Sequence, residues 1–114
     1  MNGALLESRT AVYSIVRFDQ SIFLYEVKRF IGDNIKTIAG NGFLAYTSSK
    51  GLPQTSETSP ANDIVLHVLS SLGLDTREYR INESVLLFRA RPSGNVASLR
   101  DEDYEALRDA YCTY

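Results

Sequence analysis

Apolar and polar positions alternate along residues 11–18, "AVYSIVRF", with Val12, Val16 and Phe18 on one side and Tyr13, Ile15 and Arg17 on the other. A two-residue period carried by β-branched and aromatic side chains predicts a strand. Residues 84–91 predict another. Its "SVLLF" is apolar on both sides, which places this strand centrally in a sheet. It is expected to form a hairpin with residues 77–81 around Asn82-Glu83. Residues 35–47, "IKTIAGNGFLAYT", read either as two short strands about a Gly-Asn-Gly centre or as one strand with a glycine bulge.

Helical spacing is clearest over about 60–73, where Ile64, Val65, Val68, Leu69 and Leu72 form one stripe. Ser59 caps this helix and Pro60 occupies its first position. Gly73 stops it in the left-handed conformation, and Leu74 folds back over the last turn. A C-terminal helix is expected at about 98–111. Ser98 is read as its cap, and acids at 101, 102, 103 and 105 suit a helix N-terminus. Leu99, Ala106, Leu107, Ala110 and Tyr111 supply its apolar side.

Residues 20–31, "QSIFLYEVKRFI", satisfy both periods. As a helix, Phe23, Val27, Phe30 and Ile31 share a stripe behind a cap at Asp19 or Ser21. As a strand, Phe23, Tyr25 and Val27 share a side. The β-branched and aromatic content, together with a turn at Gly32–Asn34, tips this reading toward strand. Seven of the fourteen residues from Thr47 to Pro60 are Ser or Thr, so 48–59 is expected to be a flexible loop. The whole reads as one α+β domain over 1–114: a small antiparallel sheet of four to six strands, one well-defined helix and a C-terminal helix.

Ala39–Tyr46, "AGNGFLAY", resembles the aromatic octapeptide of RNA-recognition motifs, matching it at Gly40, Gly42, Phe43, Leu44 and Tyr46. With 20–31 taken as a helix, the elements also follow that family's βαββαβ order. The resemblance implies base stacking on the sheet. Ala39 and Asn41, however, replace the basic anchor and the first aromatic, and the glycines centre the match on a turn. The residues themselves favour a turn followed by core positions.

Composition narrows the picture. Apolar residues make up 44% of the chain and charged ones 23%, ordinary values for a globular protein. The first residues lack the basic start and apolar run of a signal peptide, and no apolar run approaches the ~20 residues of a membrane helix, so no membrane association is expected. The single cysteine, Cys112, has no internal disulfide partner, which points to a reducing, cytoplasmic setting. Net charge is only −2, but it is unevenly spread. Residues 77–100 carry five arginines against two acids, and residues 101–114 carry five acids against Arg108.

Arg77, Arg80, Arg89 and Arg91 are therefore the candidates for binding a partner or an anion, since rows of guanidinium groups hold phosphate or carboxylate bidentately. The competing reading pairs them with the acids of the last helix. Tyr46, Tyr79, Tyr104 and Tyr111 are candidate exposed aromatics, a side-chain class favoured at protein interfaces. His67 is placed on a solvated flank, and Cys112 is too near the end to act as a held nucleophile. No catalytic residue, metal or cofactor is assigned. The expected function is a small non-catalytic binding protein, regulatory or inhibitory, acting on a protein partner or on itself. Nucleic-acid or phosphate binding through an arginine-lined sheet edge is the alternative.

Overall fold

The computed structural model describes residues 1–7, 13–48, 63–76 and 84–114. In chain order its elements are β1 (Asn2–Leu6), β2 (Tyr13–Arg17), α1 (Phe23–Ile31), β3 (Ile35–Gly40), β4 (Phe43–Ser48), α2 (Asp63–Ser71), β5 (Val85–Ala90), β6 (Val96–Ala97) and α3 (Asp101–Cys112). The strands form one antiparallel sheet in the order β2-β1-β5-β4-β3. β6 pairs with Arg89 and Ala90, on the edge of β5 that β1 occupies at Val85, Leu86 and Leu87. The α+β class expected from the pattern is the one observed.

Each face of the sheet packs its own cluster. Ala4, Leu6, Phe43, Ala45, Val85 and Leu87 meet α2 and α3 on one side. Leu86, Phe88 and Phe18 meet Val27 and Ile31 of α1 on the other. Because β5 contributes Val85 and Leu87 to one cluster and Leu86 and Phe88 to the other, all four must be apolar. That double burial explains the continuous "VLLF" run.

Residues 20–31 are helical, which corrects the strand expectation. Asp19 decides the local start: its Oδ1 accepts from the Ser21 N–H at 2.9 Å and the Ser21 hydroxyl at 2.8 Å, opening a short 3₁₀ turn at Gln20–Ile22 that runs into α1. Gly32, at φ 101°, ends the helix with its N–H bonded to the Lys28 carbonyl at 2.8 Å. A strand would have wasted both signals. The helix buries Val27 and Ile31 and turns Tyr25 outward.

Glycine positions carry the sharpest constraints. Asn41 and Gly42, at φ 49° and 78°, form the two-residue turn between β3 and β4, with Gly40 opposite Phe43. Gly73, at φ 90°, closes α2: its N–H reaches the Ser70 carbonyl and the Leu74 N–H reaches the Leu69 carbonyl, both at 3.0 Å. The Asn41 amide then donates to the Leu72 carbonyl at 2.8 Å, joining that helix end to the hairpin turn.

Several expectations need correction. β1 adds a strand that the pattern does not predict, since "NGALL" is short and contains weak strand formers. Residues 77–81, expected to pair with 84–91, lie outside the described residues, and both edges of 85–87 are taken by β1 and β4. Ser48, expected to open the loop at 48–59, still pairs with Ile35; residues 49–59 lie outside the described set, as do Ser59 and Pro60 at the expected helix start. The last helix begins at Asp101 behind Arg100, and Asp103 rather than Ser98 serves its first turn. Ser98 accepts instead from the Asn2 N–H at 3.0 Å, tying β1 to the chain ahead of α3.

Candidate functional site

Arg89 sits on the central strand β5, not on a sheet edge. It donates from Nε to Asp103 Oδ2 at 3.0 Å and from Nη2 to Oδ1 at 2.7 Å. The Asp103 side chain is 4% exposed, and its Oδ2 also accepts from the Arg100 N–H at 2.8 Å. One carboxylate thus caps α3 and fixes the guanidinium, which lies 4.5 Å from the centroid of the Phe43 ring. The hydrogen bond to Asp103 raises the Arg89 pKa further above its already high value. This charge is committed to joining β5 and α3.

Arg91 is exposed, and its N–H bonds the Asn95 carbonyl at 2.8 Å in the turn leading to β6. Arg77, Arg80 and Tyr79 lie outside the described residues. The described structure therefore brings Arg89 together with Asp103 and leaves Arg91 apart from it.

The described candidate tyrosines, Tyr46, Tyr104 and Tyr111, are buried or half-buried rather than exposed. Tyr111 is buried, and that burial pushes its phenol up to about 12. Tyr104 is half-buried against the α2–α3 cluster. Tyr46 is half-buried beside Phe23 and Phe88, with ring centroids 5.7 and 6.1 Å away, and burial raises its pKa. Phe43 is buried beneath Arg89, so the rings of the "AGNGFLAY" octapeptide are core positions and its glycines make a turn. The observed order, with two strands before α1, also departs from βαββαβ.

His67 is half-buried rather than solvated. Its Nε2 lies 3.1 Å from the Thr113 hydroxyl and its ring packs 5.5 Å from that of Tyr114. Cys112 is exposed at the last turn of α3. Among the described residues there is no group of three or more His, Cys, Asp or Glu side chains suited to a metal ion, and no helix long and apolar enough to cross a membrane. An open groove of about 620 Å³ is lined by Met1, Arg17, Phe18, Asp19, Gln20 and Glu26, and its mixed charges select neither anion nor cation.

The outer face of α1 is different. Leu24 and Tyr25 are 68% and 70% exposed, and Ile22 of the preceding turn is 47% exposed. Ile22, Tyr25 and Arg29 fall along one ridge of the helix and Leu24 and Lys28 along the next, all of them exposed. Glu26, the acid in this segment, turns back to accept from the Asp19 N–H at 3.1 Å. The result is an apolar and aromatic surface with a basic border. Sequence reasoning missed it because reading 20–31 as a strand put Tyr25 on the same side as Val27.

No protein-family model, curated protein or solved structure matches the chain.

Proposed function

We propose that this chain is a non-catalytic protein-binding module that presents the outer face of α1 to a partner whose surface is apolar at its centre and acidic around it. The observation that carries this reading is the pair Leu24 and Tyr25, both more than two-thirds exposed on a helix whose opposite side buries Val27 and Ile31. Large apolar side chains held outward on a rigid element lose little conformational freedom on docking, and tyrosine is enriched at interface centres. Lys28 and Arg29 add electrostatic attraction for acids, which raises association rates at low salt.

The test compares the wild-type chain with Leu24→Asp, after circular dichroism shows both to be folded. Affinity capture and cross-linking from a photo-reactive analogue at position 25 are expected to recover a partner that Leu24→Asp loses. Its binding should weaken as salt rises. Recovery of the same partner by both chains would overturn the assignment of α1.

A further inference from the structure

We infer that the outer edge of β2 pairs with the same strand of a second copy, antiparallel and centred on Ile15. This surface is independent of the α1 face. Hydrogen-bond alternation decides which groups of β2 face outward. Met1 and Phe18 exchange both backbone bonds, Met1 to the Phe18 carbonyl at 2.8 Å and Phe18 to the Met1 carbonyl at 2.7 Å. In an antiparallel ladder such pairs alternate with pairs whose groups point away from each other. Following the register Gly3↔Val16, Ala4↔Ile15 and Leu5↔Ser14, Val16 and Ser14 face β1, while the N–H and C=O groups of Tyr13, Ile15 and Arg17 face outward. Among the described residues no strand lies beyond β2.

Those outward groups are arranged symmetrically about Ile15. A two-fold axis there sets Ile15 opposite its counterpart and Tyr13 opposite Arg17 of the second copy. Each of these pairs then falls in the doubly bonded position. Side chains agree with the backbone. Ile15 is 62% exposed on the α2–α3 side of the sheet, opposite Ala4, and in this register two isoleucines stand beside each other. The two copies of Arg17 end up about 13 Å apart along the strands, beyond the screening length at physiological salt. β3, the other edge of the sheet, carries Lys36 within the strand, the kind of charge that discourages edge pairing. β2 has its charge only at its last position.

The experiment is sedimentation equilibrium of the full chain over a concentration series, joined to backbone hydrogen exchange at the two ends of that series. The expected result is a concentration-dependent dimer in which the amides of Tyr13, Ile15 and Arg17 gain protection, while those of Ser14 and Val16 are already protected by β1. Ile15→Lys, at an exposed position that leaves the fold intact, is expected to weaken the dimer by about tenfold or more. Leu24→Asp should leave it unchanged, so the α1 reading and this one fail separately. A monomer throughout, or a dimer that Ile15→Lys leaves intact with no protection gained at Ile15, overturns the proposal.

Discussion

Asp103 ties the start of α3 to the central strand. It receives two bonds from Arg89 and one from the Arg100 N–H while being almost fully enclosed. Removing it strands a guanidinium that is itself only 24% exposed and uncaps the helix. Asp103→Ala is therefore expected to cost about 2–4 kcal/mol, read as a lowered urea midpoint with the slope unchanged. Asp103→Asn, which keeps an acceptor for Arg100, should lose about half as much. At Gly73 the constraint is steric: a Cβ would stand 2.6 Å from the Asn41 amide nitrogen, in a backbone conformation at φ 90°. Gly73→Ala is expected to destabilise by about 1–3 kcal/mol in the same measurement. That position was legible in the sequence because left-handed backbone after an apolar stripe calls for glycine. Its partnership with Asn41 was not, since the two lie far apart along the chain.

Helix α1 shows how an element can be misread while its residues are read correctly. Phe23, Val27 and Ile31 form the stripe that the helical period requires, and Asp19 caps the 3₁₀ turn that runs into it. The alternative period failed because it weighed side-chain class above the two end signals at Asp19 and Gly32. The orientation is open to a direct check. Val27 is fully buried and Leu24 is not, so Val27→Ala should cost about 2 kcal/mol and Leu24→Ala should fall within about 0.5 kcal/mol of wild type. Equal effects at both positions would contradict the packing of this helix. The proposed docking role rests on the same asymmetry: Leu24 and Tyr25 stay exposed on the side of the helix that does not pack.

At the scale of the whole molecule, two clusters on opposite faces of one sheet share β5, so unfolding of either exposes the other. Tyr111 lies in the α2–α3 cluster, and its phenol titrates at about 12 when folded against 10.0 otherwise. Folding therefore favours the neutral form. The associated stability is fully present below pH 10, where both states are neutral. It declines as pH rises toward about 12, because the unfolded state ionises first. The expected loss is about 2–3 kcal/mol across that window, measured by urea unfolding at alkaline pH. Tyr111→Phe should flatten that decline, leaving a smaller remnant of the same sign from Tyr46.

What the sequence by itself determined is local: the stop at Gly73, the turn at Asn41-Gly42, and the two-sided apolar run of β5. Each rests on steric or periodic rules that act within a few neighbouring residues. Tertiary structure alone decided the rest. It chose helix for 23–31, selected Asp103 among the acids of α3 as the partner of Arg89, turned Tyr25 outward, and left the edge of β2 facing away from the sheet. Those outcomes depend on which distant segments share the burial of one surface. Linear spacing does not record that sharing, because a charge or an aromatic ring looks the same in sequence whether its partner lies across a sheet or on another molecule.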